Sequence, residues 1–150
     1  MAHRQHAEGT PPRGRARHRP PRVARVSEHA TTARRVEKPW GWELVWAETD
    51  AYVGKLLLVR AGHSLSLQYH EVKDEAWLVQ RGRATLELGE VGGSLDSVEI
   101  GEGDTFRYRP RTVHRVTAIE DILIVEVSTP HLDDVVRLED QYGRTGTNAP

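Results

Sequence analysis

The sequence contains no cysteine among its 150 residues. This absence excludes disulfide bonds, thiolate metal sites and a cysteine nucleophile, and it leaves the redox compartment open. No apolar run approaches the ~18 residues that a membrane-spanning helix requires. The N-terminus is basic but lacks the apolar segment of a secretory signal. We therefore expect a soluble, cytoplasmic protein with no membrane partner.

Charge is distributed unevenly, although the formal net charge is only −1. Residues 1–35 contain nine Arg and two Glu, whereas residues 36–150 contain twelve basic and twenty acidic residues. The first segment has almost no large apolar side chains, so burial cannot offset its ordering entropy and we expect it to be disordered. Its arginines suit either a tail for nucleic acid or another anionic surface, or a dispensable extension. We favour the extension, because the arginines form no periodic face and no aromatic residues lie between them.

Short segments rich in Val, Leu, Ile and aromatic residues recur from Val36 onward, and turn signals such as Arg81-Gly82 separate them. This pattern predicts one all-β domain over residues 36–145, a jelly-roll barrel, followed by a flexible tail at residues 146–150. A short C-terminal helix is expected only at Leu132–Leu138. The predicted strands are Trp42–Trp46, Tyr52–Arg60, Ser64–His70, Glu75–Gln80, Arg83–Leu88, Ser97–Ile100, Thr105–Tyr108, Val113–Ala118 and Ile122–Ser128.

Four polar side chains form a candidate metal site. Gln68 and His70 are two residues apart, so in a strand they project from the same face. Glu75 follows a four-residue turn, so the next strand can bring its carboxylate back beside them, and His114 is the best candidate for a fourth donor. Amide, imidazole and carboxylate groups inside a β-structure suit one divalent ion, with zinc favoured over manganese, cobalt or iron. The alternative, a solvent-facing Gln-x-His pair, is disfavoured by Glu75, Gly82 and His114.

Two stretches resemble the motifs of the cupin superfamily. Gly62, Gln68, His70, Glu75 and Gly82 have the spacing of the first cupin motif, with the glutamine in the place of its first histidine. Residues 103–114 resemble the second motif. Within the cupins, residues 64–77 resemble the type II phosphomannose isomerase domain, which is also the C-terminal half of bifunctional mannose-1-phosphate guanylyltransferase/mannose-6-phosphate isomerases. The segments at residues 38–43 and 134–144 agree, so the resemblance covers about residues 37–145.

The resemblance implies a metal-dependent isomerase that interconverts mannose 6-phosphate and fructose 6-phosphate. The sequence departs from the family pattern at Val72, where a histidine is usual, at Lys73, where an arginine is usual, and at Arg111, which replaces a turn glycine. No Gly-rich phosphate loop precedes the domain, so guanylyl transfer is not expected.

Isomerisation needs a general base near the metal and cations for the phosphate. Lys73 and Glu71, in the turn beside the ligands, are the candidate catalytic residues, and Trp77, two residues from Glu75, could line the same cavity. The alternative for each arginine is an ordinary solvated surface position, and for the tryptophan a core position. The candidate phosphate-binding residues are Arg109, Arg111, Arg115 and Arg144.

Two other functions stay open, because a fold does not determine a function. One is a cupin enzyme of different chemistry, such as an epimerase or oxygenase. The other is a non-catalytic sugar- or metal-binding module. The expected partner in every case is a small molecule rather than nucleic acid, and we expect a homodimer formed through Leu56–Val59 as an exposed edge strand.

Overall fold

A computed structural model describes residues 29–147, and its strands all lie in the compact unit that begins at Thr31. No α-helix occurs in that range, and so no helix there has the length and hydrophobicity needed to cross a bilayer. The strands are β1 (Arg34–Lys38), β2 (Gly41–Glu48), β3 (Val53–Val59), β4 (Leu67–Tyr69), β5 (Glu75–Arg81), β6 (Ala84–Glu90), β7 (Leu95–Ile100), β8 (Thr105–Tyr108), β9 (Thr112–Ala118), β10 (Ile122–Ser128), β11 (Val136–Glu139) and β12 (Gly146–Thr147).

The twelve strands form two six-stranded sheets. One has the order β1-β2-β3-β10-β5-β8, and the other has the order β12-β11-β4-β9-β6-β7. All pairings between these strands are antiparallel. The predicted all-β fold is confirmed, and each of the nine strands predicted from the sequence is present.

The ordered strands begin slightly earlier than expected. β1 includes Arg34 and Arg35, which the sequence assigns to the disordered extension, and it pairs with β2 along its whole length. The rest of that prediction, for residues 1–28, and the flexible tail at residues 148–150 lie outside the described residues. Residues 146 and 147 pair with β11 as β12.

The predicted helix at Leu132–Leu138 is wrong. Residues 136–139 form β11, which pairs with β4 on one side and β12 on the other. Val135 and Val136 suit a strand, and the neighbouring strands supply the backbone hydrogen bonds that a helix would have supplied internally. Asp134 does accept backbone N–H groups, as a helix N-cap would, but they belong to the turn after β4.

The expected role of Leu56–Val59 as an exposed edge is also wrong. β3, which contains this segment, is hydrogen-bonded to β2 on one side and to β10 on the other, so it has no free edge. β1 and β8 are the edges of that sheet. The homodimer itself stays a prediction.

The inward faces of three strands change from apolar to polar along their length. On β10, Ile122 and Ile124 are completely buried and Glu126 follows on the same face, 3% exposed. On β9 the buried Val116 and His114 share the inward face, and His114 lies two residues before Val116. β5 carries Glu75 at the corresponding end. The apolar halves of these strands form the core, and their polar halves meet at one end of the molecule.

Arg111 has a backbone conformation that glycine would adopt without strain. Its φ is +68°, in the left-handed region that costs an L-residue roughly 1–2 kcal/mol. The side chain pairs with Glu71 at 2.9 Å and lies 5.7 Å from the ring centroid of Tyr69. The backbone at this departure from the family pattern is therefore strained.

Two substitutions at Arg111 separate this strain from the side-chain contacts. Arg111→Ala and Arg111→Gly both remove the contacts, but only glycine relieves the left-handed conformation. Relief of the left-handed strain favours glycine, and the larger backbone entropy that glycine loses on folding offsets only part of this gain, so we expect Arg111→Gly to be more stable than Arg111→Ala by about 1 kcal/mol. Urea midpoints of the two variants measure the difference. Equal stability, or a more stable alanine variant, would contradict the argument.

Candidate metal centre

Three ligand-type side chains converge at the polar end of the two sheets. Glu75 Oε1 lies 3.0 Å from His114 Nε2 and 3.4 Å from His70 Nε2. The three residues each offer one ligand atom, and these atoms all lie within 4.8 Å of one another. All three side chains are at most 5% exposed. The structure thus brings together three of the four predicted metal ligands.

Backbone carbonyls orient both imidazoles. His70 Nδ1 contacts the carbonyl oxygen of Asp134, and His114 Nδ1 lies 3.0 Å from the carbonyl oxygen of Thr112. A carbonyl only accepts, so each Nδ1 carries the proton and each Nε2 presents a lone pair. This is the tautomer that a metal-binding histidine requires.

The converging atoms have no other role in the structure. His70 Nε2, His114 Nε2 and Glu75 Oε1 are buried and have no hydrogen-bond partner among residues 29–147. Buried polar atoms without a partner are costly, and a shared divalent cation would satisfy all three at once. Two imidazole nitrogens and one carboxylate oxygen suit zinc, manganese, cobalt or iron. The residues present therefore fit a metal ion.

Gln68 is next to this group. It is the direct cross-strand neighbour of His114, and it lines the same cavity as His70 and Glu75. Its Oε1 accepts a hydrogen bond of 2.6 Å from Ser66. Its role as a fourth ligand stays a prediction.

Lys73 lies inside the centre as an ammonium ion. Its Nζ contacts Glu75 and donates to Glu126 at 2.9 Å, and the side chain is 7% exposed. Burial lowers the pKa of Lys73, but the charges of Glu126 and Glu75 outweigh burial and raise it above its ordinary value. An ammonium cannot accept a proton, so in this arrangement Lys73 is unsuited to be a general base.

The charge of Glu75 depends on its neighbours. Burial raises the pKa of this carboxyl, but the charge of the Lys73 ammonium outweighs burial and keeps the pKa well below its usual range. Glu75 is therefore ionised, as a metal ligand must be.

Glu71, the other predicted catalytic residue, points away from the centre. So do Val72 and Arg111, two departures from the family pattern. The Glu71 side chain is 48% exposed and pairs with Arg111. Val72, where the family usually has a histidine, is 56% exposed. A histidine at that position would lie on the outer surface of the turn, so its absence leaves the three converging ligands intact.

A cavity of about 440 Å³ opens over the centre. Trp77 and Arg144, both predicted substrate-binding residues, line it. Arg109 and Arg111 are exposed residues outside its lining, and Arg115 is also outside, pairing with Glu87 and, at 2.9 Å, with Glu139.

Glu126 and Arg137 are among the charged residues of the cavity that sequence reasoning missed. For Glu126 a signal existed, because a carboxylate continues the inward series of Ile122 and Ile124 in a predicted strand. For Arg137 the signal was hidden, because the surrounding segment was interpreted as a helix.

Known proteins match this chain over the region that contains the converging ligands. The sequence model of the family described as "Mannose-6-phosphate isomerase C-terminal" matches residues 25–140. The chain is 34% identical over 122 residues to the xanthan biosynthesis protein XanB of Xanthomonas campestris, which covers 77% of this chain and 25% of that protein. It is 35% identical over 116 residues to the mannose-1-phosphate guanylyltransferase ManC of Salmonella typhimurium, covering 74% of this chain and 23% of that protein.

A solved structure agrees at the level of the fold. Oxalate decarboxylase of Bacillus subtilis, studied for its Mn(II) centres, superimposes with a TM-score of 0.60 at 18% identity, covering 69% of this chain and 29% of that chain. The chain thus spans about a quarter of the length of the relatives it matches in sequence. The comparisons confirm the resemblance to the cupins and to the phosphomannose isomerase domain.

Asp134 provides a test of how the centre is held. Its carboxylate accepts N–H bonds of 2.7–2.9 Å from Glu71, Val72 and Lys73. Burial raises its pKa, but these three bonds outweigh burial and lower it below its ordinary value. Asp134→Asn places an amide NH₂ against backbone donors, so we expect a loss on the order of 1 kcal/mol at pH 7, since water partly screens the carboxylate.

The loss should depend on pH with a defined sign. A carboxyl with a lowered pKa in the folded state stabilises the fold above its unfolded pKa of about 3.9, and this stabilisation is lost as pH falls through the folded value. The difference in unfolding free energy between the parent and Asp134→Asn should therefore shrink below about pH 4. Urea titrations at several pH values measure it, and a difference that stays constant or grows in acid would refute this role.

Proposed function

We propose that this chain, which belongs to the mannose-6-phosphate isomerase C-terminal family, is a metal-dependent aldose–ketose isomerase that interconverts mannose 6-phosphate and fructose 6-phosphate. The supporting observation is the convergence of His70 Nε2, His114 Nε2 and Glu75 Oε1, without hydrogen-bond partners among the described residues, beside a cavity of about 440 Å³. When bound, a divalent ion would polarise the sugar carbonyl as a Lewis acid.

The chain's own residues then have to move one proton between carbons and one between oxygens. In the aldose-to-ketose direction a base removes the proton from C2 while a proton is delivered to the C1 carbonyl oxygen, which gives an enediol. The C2 hydroxyl then loses its proton and becomes the ketone carbonyl as a proton is returned to C1, so nothing is oxidised or reduced overall. Besides Glu75, the acidic residues that line the cavity are Glu43, Glu126 and Asp133. Among these, Glu126 is joined to Glu75 through the shared Lys73 ammonium. We assign the proton transfer to Glu126 and electrostatic support of the enediol to Lys73.

The geometry supports this function better than the two alternatives. A non-catalytic binding module would need neither a buried ion pair beside the metal ligands nor a second carboxylate in the cavity. An oxygenase or decarboxylase of the cupin type has only the fold in its favour, because the solved neighbour is 18% identical. Guanylyl transfer, named for ManC, has no phosphate loop in this chain to support it.

The proposal includes a cytoplasmic location, because phosphorylated hexoses are retained inside cells. It includes the homodimer as well, and size-exclusion chromatography with light scattering tests the dimer.

Metal binding is the first test. The purified protein should carry about one divalent ion per chain, and chelation should abolish hexose-phosphate isomerisation until metal is returned. His70→Ala and His114→Ala should each lower the metal content at least about tenfold. His131→Ala is the matched control, since His131 is exposed and lies outside the group. Elemental analysis and a coupled isomerase assay provide the measurements.

Two results would count against the proposal in different ways. Full turnover after complete removal of metal would exclude a metal-dependent isomerase. Stoichiometric metal without turnover of any hexose phosphate would favour the non-catalytic module.

Glu126→Gln tests the proton-transfer assignment. We expect turnover to fall by about 10²–10⁴-fold, the usual contribution of a positioned general base, while metal content is unchanged because Glu126 is not one of the converging ligands. Glu120→Gln is the control, because Glu120 is exposed, follows the end of β9 and does not line the cavity. A Glu126→Gln protein that is folded, loaded with metal and within threefold of parent turnover would remove the role.

A further inference from the structure

Arg137 occupies a defined place relative to the metal centre. On β11 it is the cross-strand neighbour of Gln68, which in turn is the neighbour of His114 on β9. Directly opposed residues on neighbouring strands project from the same face, so these three side chains share the inner face of their sheet. With strands about 4.8 Å apart, the backbones of Arg137 and His114 are separated by about 10 Å.

Among the described residues, the guanidinium of Arg137 differs from the other cations of the cavity because it has no ion pair of its own. Its Nε and Nη1 are buried without a hydrogen-bond partner, and it forms no ion pair, within the part of the chain that the structure describes. The other cations that line the cavity each have a carboxylate partner: Arg34 with Glu48, Lys38 and Lys55 with Glu43, Lys73 with Glu75 and Glu126, and Arg144 with Asp140.

The two ends of the cavity therefore carry opposite charge. At the metal end, the carboxylates of Glu75 and Glu126 face one ammonium, that of Lys73. At the β11 end, the guanidiniums of Arg137 and Arg144 share one carboxylate, that of Asp140. Burial, and then the nearby charge of Arg144, lowers the pKa of Arg137. A negative end suits a cation, and a positive end suits an anion.

We propose that Arg137 is the anion-binding residue of the cavity and that it takes the phosphoryl oxygens of the substrate. This inference rests on the proposed isomerase function for the identity of the anion, but not for the existence of the anion site. Arginine binds a phosphate with two parallel N–H bonds, and Arg137 can do so without first breaking an ion pair. Arg144, tied to Asp140, would support the anion from the side.

This placement orients the substrate. The C1–C2 end of an open-chain hexose 6-phosphate and its phosphoryl group are at opposite ends of the molecule. With the phosphate on Arg137, the reacting end of the sugar extends across the sheet, past Gln68 and towards His114. Arg137 would then determine specificity for phosphorylated sugars over free hexoses.

Inorganic phosphate tests the anion site directly, with the full chain and without turnover. We expect Arg137→Met to weaken phosphate binding at least about tenfold, as measured by calorimetry. Arg137→Lys keeps the charge but loses the two parallel N–H donors of the guanidinium, so it should weaken binding less. Arg115→Met is the matched control, because Arg115 is an ion-paired arginine of the same sheet outside the cavity lining. It should stay within about twofold of the parent.

Thermal unfolding supplies a readout that a structural role would not reproduce. Buried N–H donors without a partner are destabilising, so Arg137→Met, which removes Nε and Nη1, should unfold at the parent's temperature or above it when no phosphate is present. Added phosphate should raise the unfolding temperature of the parent and of Arg115→Met, but not that of Arg137→Met. Lower stability of Arg137→Met without phosphate, together with an unchanged response to phosphate, would overturn the proposal.

The assays separate failure of this inference from failure of the proposed function. If phosphate binding requires Arg137 but no hexose phosphate is isomerised, the anion site stands and the isomerase function falls. If mannose 6-phosphate is isomerised and its KM is unchanged in Arg137→Met, the function stands and the assignment of the substrate's phosphoryl group to Arg137 falls. Absence of phosphate binding by the parent overturns the anion site outright.

Discussion

A buried negative charge on Glu75 is the constraint on which the rest of the site depends. A carboxylate that is 1% exposed is stable only when a cation is beside it, and here the Lys73 ammonium contacts it. The second carboxylate, Glu126, keeps the Lys73 ammonium in place. Removing Lys73 would leave two buried carboxylates without their shared cation, so the ligand Glu75 and the ion pair form a single electrostatic unit.

The segment before β11 connects this unit to the opposite end of the cavity. The side chain of Asp134 binds three N–H groups of the turn that carries Lys73, and its carbonyl sets the tautomer of His70. Three residues later the same chain presents Arg137. The distance between the metal ligands and the guanidinium of Arg137 is therefore fixed by one short segment rather than by a flexible connection between two loops.

Local pattern predicted most of the fold, and the failures share one cause. Nine strands follow from alternation and turn residues, but the strand at 136–139 depends on pairing with β4, a long-range contact that no local pattern reveals. The three converging ligands follow from motif spacing. The partners of the arginines do not, since Arg115 and Arg137 look alike in sequence and only packing shows that one meets two carboxylates and the other none.

The opposite charges at the two ends of the cavity also narrow the choice among cupin chemistries. A neutral hexose could reach the metal ligands but would supply no anion to Arg137, and it would gain nothing from the positive end. A ligand with an anionic group at one end and adjacent carbonyl and hydroxyl oxygens at the other satisfies both ends together, and a hexose 6-phosphate is such a ligand.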